Sequence, residues 1–190
     1  LDSYVLHGPT RSQGLATADW EIWRAMENLQ RQGLVKLLGV SNVNPEQLRS
    51  LCEKAEIKPA FVQNRCYARR GWDGEIRAFC REHHVVYQGF SLLTANQEIF
   101  RNPRFIELVE RVGCSPAQAV FQFALQTGML PLTGTTDPAH MAEDLKNTGK
   151  GNLFVIFGEP DIDILPADGG QVRVKVNGVD VFHPNTGEVR

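Results

Sequence analysis

The sequence predicts an α/β fold built around a parallel sheet. Three observations carry this. Short apolar, strand-like runs alternate with helical stretches about five times before residue 147. The connections between them are short. The helical stretches begin and end on recognisable capping residues. At this level a doubly wound sheet and a barrel both remain open. The G-x-G-x-x-G turn of a dinucleotide-binding doubly wound sheet is absent after the first strand.

Leu1–His7 reads as a short strand ending at Gly8-Pro9. Thr17–Gln32 reads as a helix with Ile22, Met26 and Leu29 at i, i+4 and i+7, stopped by Gly33. Val35–Val40 is a short apolar strand. Asn44-Pro45-Glu46-Gln47 opens the next helix, with Asn as cap, Pro at the first position and Gln closing a capping box. That helix carries Leu48, Leu51 and Cys52 on one face. Ala60–Gln63 is a strand, Asp73–His83 a helix with Ile76, Phe79 and Cys80 inward, and Val85–Phe90 a strand. Arg104–Val112 is a helix closed by Gly113. Ser115-Pro116-Ala117-Gln118 repeats the capping signature and starts an apolar helix through Leu125. Met129–Leu132 is a strand, and Asp137-Pro138 starts a last helix ending near Lys146.

After Lys146 the texture changes. Residues 147–152 are polar and Gly-containing. Leu153–Phe157, Gln171–Val176 and Val179–Phe182 read as strands, with Asp168-Gly169-Gly170 and Asn177-Gly178 as hairpin-type turns. Charge divides in the same place. Residues 1–147 hold 16 Lys/Arg and 16 Asp/Glu, and residues 148–190 hold 4 and 6. Two units are expected, 1–147 and a β-rich or partly disordered tail, 148–190.

The composition is that of an ordinary globular protein, 42% hydrophobic with a net charge of -2 over 190 residues. This argues against a basic nucleic-acid surface as the main function, and the tail's local acidity argues against phosphate binding there. The longest uncharged run, Val112–Thr136, is too polar and broken to span a membrane. Cys52, Cys66, Cys80 and Cys114 form no C-x-x-C pair, so no metal site is expected and free thiols of a reducing compartment are. With no signal peptide visible, a cytoplasmic protein is expected. The opening on Leu1 suggests a fragment, and 190 residues fall short of the roughly 250 of a complete (β/α)8 barrel.

Several residues sit where parallel α/β folds carry chemistry, at the C-terminal ends of strands. His7 ends the first strand, where an imidazole can polarise a carbonyl or simply cap the strand. Ser41 and Asn42 end the second and Gln63 the third, offering donors and acceptors to an amide-bearing ligand. Phe90-Ser91 ends the fourth, where an aromatic face can stack on a planar ring. Gly134-Thr135-Thr136-Asp137-Pro138 leads into a helix start, a seat for phosphate or an ordinary helix cap.

At these residues a resemblance emerges. Residues 1–146 resemble the C-terminal part of an aldo-keto reductase. The matching stretches are Asp2–Pro9, Leu38–Asn42, Val62–Asn64, Tyr87–Leu93, Leu132–Thr136 and His140–Asp144, in the family's order and spacing. The resemblance implies a partial (β/α)8 TIM barrel, about the last five β/α units, with a small β-rich C-terminal extension. It implies transfer of a hydride from a nicotinamide cofactor, NADPH with NADH left open, to a small aldehyde or ketone. His7 matches the active-site histidine. Ser41, Asn42 and Gln63 match the residues that hold the nicotinamide carboxamide, and Phe90 takes the place of the aromatic that stacks on its ring. Ser91 and Leu93 fall beside the pyrophosphate, and Thr135 and Thr136 where the adenosine phosphate binds. His140, Glu143 and Asp144 match adenine-side positions.

The family's catalytic Tyr, Lys and Asp lie on strands before the His strand, and no tyrosine here (Tyr4, Tyr67, Tyr87) matches that place. Weak or no reduction by this chain alone is therefore expected. A non-catalytic nucleotide-binding or interaction fragment is the alternative. Self-association is expected as one way to cover open sheet edges. The tail, Asn147–Ile162 and Gly178–Arg190, resembles a C-terminal, non-catalytic segment of adenine-specific DNA methyltransferases. It holds no D-P-P-Y motif, so it implies at most an accessory role in DNA modification.

Overall fold

The computed structural model describes residues 1–140 and the strand segments 154–155, 162–167, 171–176 and 179–182. The elements alternate as expected. In order they are β1 (Ser3–Leu6), α1 (Thr17–Arg31), β2 (Leu37–Ser41), α2 (Pro45–Lys54) and β3 (Phe61–Arg65). Then come α3 (Gly74–Glu82), β4 (Val86–Phe90), α4 (Pro103–Val112), α5 (Pro116–Gln126) and β5 (Leu130–Thr133). The tail contributes β6 (Phe154–Val155), β7 (Ile162–Ala167), β8 (Gln171–Val176) and β9 (Val179–Phe182).

Strand order bears on the two architectures left open by the sequence. The main sheet runs β1-β2-β3-β4-β5-β6, every neighbour parallel. A doubly wound sheet reverses its order at a switch point. Here each new strand is added on the same side as the last, the progression a barrel requires. β6 lies in the stretch expected to be tail, yet it pairs with β5 through Leu132↔Phe154 and Thr133↔Val155. β7, β8 and β9 form a separate antiparallel sheet with β8 in the centre. β7 was not among the expected strands, and it carries Pro166. An edge strand tolerates a proline that a central one would not. The expected turns at 168–170 and 177–178, the end of the last helix and the junction at 147–152 lie outside the described residues.

One face of the main sheet carries the core. Leu38, Val40, Val62 and Tyr87 meet Trp23 and Met26 of α1, Leu48, Leu51 and Cys52 of α2, Ile76 and Cys80 of α3, and Val120, Phe121 and Ala124 of α5. A fully buried side chain of this size contributes on the order of 1.5–3 kcal/mol through burial. The α2 and α3 faces are those the spacing predicted. On α1 the expected face holds in part: Met26 is buried and Leu29 packs against the core, but Ile22 is 45% exposed and Asp19, Trp23 and Glu27 are buried beside Met26. Two of these make polar contacts. Trp23 Nε1 donates to the Ile57 carbonyl at 3.1 Å, and the Ile57 amide donates to Glu27 Oε1 at 2.9 Å. One turn of α1 thus satisfies both backbone groups of a residue in the α2–β3 connection.

Alternation along β2 puts Leu37, Gly39 and Ser41 on the opposite face. Their partners in register include Phe61 with Gly39 and Gln63 with Ser41. This second face leads to the candidate site.

Candidate active site

The C-terminal ends of β2, β3 and β4 form a polar row. Ser41 and Gln63 are register partners, as are Gln63 and Gln88. The Ser41 hydroxyl donates to the Gln63 carbonyl at 2.6 Å, and Gln63 Nε2 donates to Gln88 Oε1 at 3.2 Å. Ser41 and Gln88 are buried and Gln63 is half-buried. One step further along, Phe90 and Arg65 are register partners on the same face.

Asn42 follows β2 directly and takes a left-handed backbone, φ 55°. Asn tolerates that region better than most residues. The turn aims its side chain back at β1, where Nδ2 donates to the His7 carbonyl at 2.8 Å. Its amide donates to the Gln63 carbonyl at 3.1 Å. Asn42 therefore joins the ends of β1, β2 and β3. Ser91, the first residue after β4, is also left-handed at φ 56°. Backbone strain of this kind gathers at functional sites.

His7 lies just past β1. By alternation it shares the face of Val5, which pairs with Gly39. It is exposed. The segment after it is held by side chains of neighbouring helices. Asp19 accepts from the Thr10 and Ala16 amides at 2.9 and 2.7 Å. Gln47 Nε2 donates to the Arg11 and Gly14 carbonyls, each at 2.9 Å. Asn44 Nδ2 donates to the Ser12 carbonyl at 2.9 Å.

Behind β3, buried Asn64 accepts from the Val43 amide and donates to its carbonyl, at 3.1 and 2.8 Å. It also donates to Asp73 Oδ2 at 3.1 Å, and the Tyr87 hydroxyl donates to the same oxygen at 2.8 Å. Burial pushes the Tyr87 phenol far above its usual range, and the neighbouring Cys66 and Asp73 add to the rise. Tyr87 is thus a buried donor to Asp73. Tyr4 lies on the β1 face opposite His7 by alternation. Neither of these two tyrosines shares the face of His7 as a proton donor.

Asn96 is fully buried between the connections that follow β3 and β4. It accepts from the Ala68 amide at 2.6 Å and donates to the Cys66 and Leu92 carbonyls at 2.9 and 2.8 Å. This fixes the stretch holding Ser91 and Leu93, both half-buried.

The expected phosphate seat is partly taken. Thr135 Oγ1 accepts from the Asp137 amide at 3.1 Å. Asp137 Oδ1 accepts from the Ala139 and His140 amides at 2.7 and 3.4 Å. These bonds hold the Asp137 carboxyl below the usual carboxylate range, with the Ala139 amide the leading cause. The carboxylate itself is the anion at this helix start. Thr136 and His140 are exposed and Thr135 half-buried. Glu143 and Asp144 lie outside the described residues.

The structure thus joins Ser41, Asn42 and Gln63 to the end of β1, while Phe90 stands at the end of β4 beside Arg65. The sequence reading missed Gln88 and Arg65. The signal for Gln88 was a polar residue two positions before Phe90 in an otherwise apolar strand. Among the described residues no group of His, Cys, Asp and Glu could hold a metal ion. No helix among them is long and apolar enough to cross a membrane.

The model of the aldo/keto reductase family matches residues 1–149. The chain belongs to the aldo/keto reductase family. It is similar to aldo-keto reductase family 1 member A1 of Xenopus tropicalis, 27% identical over 135 residues, covering 66% of this chain and 41% of that protein. It is similar to the 9,11-endoperoxide prostaglandin H2 reductase of Trypanosoma cruzi, 27% identical over 149 residues, covering 76% of this chain and 50% of that protein. The chain therefore spans half or less of the length of these two family members. Its fold is similar to that of a Gox0644 mutant crystallised in complex with NADPH. That match has a TM-score of 0.66 at 26% identity and covers 83% of this chain and 55% of that one. The aldo/keto reductase likeness thus extends from sequence to strand order, and the sheet described above is part of the family fold. No comparison bears on the expected methyltransferase likeness of the tail.

Proposed function

We propose that this chain supplies the histidine strand and the nicotinamide-holding side of an aldo/keto reductase barrel that reduces an aldehyde or ketone with NADPH. The observation that carries the reading is the convergence of Ser41, Asn42, Gln63 and the end of β1 at one rim of the sheet.

The residues suit a nicotinamide carboxamide, which needs both acceptors and donors. Asn42 Oδ1 and Gln63 Oε1 accept no hydrogen bond among the described residues, while Gln63 Nε2 keeps a second proton beyond the bond to Gln88. Ser41 and Gln88 hold Gln63 in place by its carbonyl and its amide. The half-buried Phe90 ring offers an apolar face for stacking. When bound, the reduced nicotinamide supplies the hydride. His7, exposed at the end of β1, orients and polarises the carbonyl.

The developing alkoxide needs a proton, and Tyr4 and Tyr87 are not placed to give it. Tyr87 is buried against Asp73 and Tyr4 lies on the other face. Weak or absent turnover is the reading for these 190 residues alone, as a partial barrel with a β-rich extension. Ser91, Leu93, Thr135, Thr136 and His140 remain the proposed contacts to the phosphates and adenine, with Asp137 restricting the amides left for a phosphate.

The test is titration of the chain with NADPH, followed by nicotinamide fluorescence. Gln63→Leu should weaken binding by about tenfold, since it removes a paired amide from the carboxamide site. Equal binding by the variant, or no binding at millimolar cofactor, overturns the proposal.

A further inference from the structure

Three arginines converge on one tyrosine beside the candidate site. The guanidinium carbons of Arg65, Arg69 and Arg70 lie 5.7, 5.3 and 5.1 Å from the centre of the Tyr67 ring. All three arginines are exposed, and Tyr67 is half-buried. Among the described residues, none of the three makes an ion pair with a carboxylate. Cation–π contact with the ring offsets only part of their mutual repulsion. Three mutually repelling cations held on one ring make a site that an anion would relieve.

The cluster is fixed in position. The Tyr67 carbonyl accepts from the Arg70 and Trp72 amides at 3.1 and 3.0 Å, which closes the short 3-10 turn Ala68–Arg70. Asn96 holds the Ala68 amide at 2.6 Å. Arg65 ends β3 as the register partner of Phe90, and the Cys66 amide donates to the Phe90 carbonyl at 3.1 Å. By alternation Arg65 shares the sheet face of Gln63, two residues back. The guanidinium of Arg65 therefore starts from the rim where the nicotinamide ring would lie.

We infer that the Arg65, Tyr67, Arg69 and Arg70 cluster receives the anionic end of a carboxylate-bearing aldehyde or ketone. This makes charge, rather than shape alone, a determinant of what the site accepts. The inference rests on the nicotinamide reading for the carbonyl end of that substrate. The positive charge itself does not depend on that reading.

The experiment is calorimetric titration of the 190-residue chain at low salt with three ligands: 4-carboxybenzaldehyde, benzaldehyde and NADPH. The variants are Arg65→Gln, Arg69→Gln and Arg70→Gln, singly and combined. All are exposed, and circular dichroism checks that each folds. The expected result is a preference of about tenfold for 4-carboxybenzaldehyde over benzaldehyde, lost in the triple variant while NADPH binding is kept. Equal binding of the two aldehydes, or binding of neither, overturns the inference. So does a preference that survives the triple variant. Loss of NADPH binding in the triple variant, with the aldehydes unaffected, assigns the cluster to the cofactor's phosphates and also overturns it. A carboxylate preference that depends on the arginines in a chain that fails to bind NADPH sinks the cofactor reading and leaves the anion site standing.

Discussion

The Phe61 ring packs against Gly39, its register partner on β2. A Cβ added to Gly39 would meet the ring at its Cε2, Cζ and Cδ2 atoms, closer than real carbon contacts allow. The glycine is what lets a phenylalanine occupy this face of the sheet below the polar row.

Gly39→Ala should therefore destabilise the chain by about 1–3 kcal/mol, the usual cost of overpacking. Combination with Phe61→Leu should recover part of that loss, because the smaller side chain vacates the space. Urea denaturation of both single variants and the double variant gives the coupling. Strict additivity would show that the ring is not the obstacle.

Asn96 should be far more costly to replace than its neighbour. Asn96→Ala leaves the Ala68 amide and the Cys66 and Leu92 carbonyls without their partner, a loss of about 2–4 kcal/mol. Gln97→Ala removes one exposed bond to the Leu93 carbonyl and should stay within about 0.5 kcal/mol. A similar midpoint for the two variants would contradict this account of the rim.

Alkali should weaken the fold through its thiols. Burial pushes Cys52 and Cys66 up to about 11 and Cys80 up to about 12, from an ordinary value of 9.0. Between these values the unfolded chain has released protons that the folded chain keeps. The contribution of these groups is whole below about pH 9 and is lost as pH rises toward 11–12. Urea midpoints should fall from pH 8 to pH 10.5, and Cys80→Ala should fall less steeply than the parent. An unchanged slope in that variant would remove Cys80 from the explanation.

Local signals carried much of the fold. The capping boxes at Asn44 and Ser115 locate the starts of α2 and α5, because each pairs a side chain with a backbone amide three residues on. Polar packing was harder to see. The burial of Trp23 and Glu27 comes with their bonds to Ile57, a residue 30 or more positions away, and helical periodicity contains no such information. The same limit applied at the site. Ser41, Asn42 and Gln63 could be named from their places at strand ends, but their bonds to one another depend on register. Gln88 and Arg65 were hidden because their neighbours, Gln63 and Phe90, lie on other strands. β7 was not expected from the sequence at all, and its Pro166 is tolerated because the strand lies at the edge of its sheet.

The side chains of Asp19, Asn44 and Gln47 stitch the segment after His7 to the starts of α1 and α2. Ordering a loop and its side chains on association commonly costs about 0.5–1.5 kcal/mol for each flexible side chain immobilised. Here five backbone groups of that segment are already engaged before any ligand arrives. Association at this rim should therefore lose little chain entropy, and its heat-capacity change should report desolvated surface rather than coupled folding.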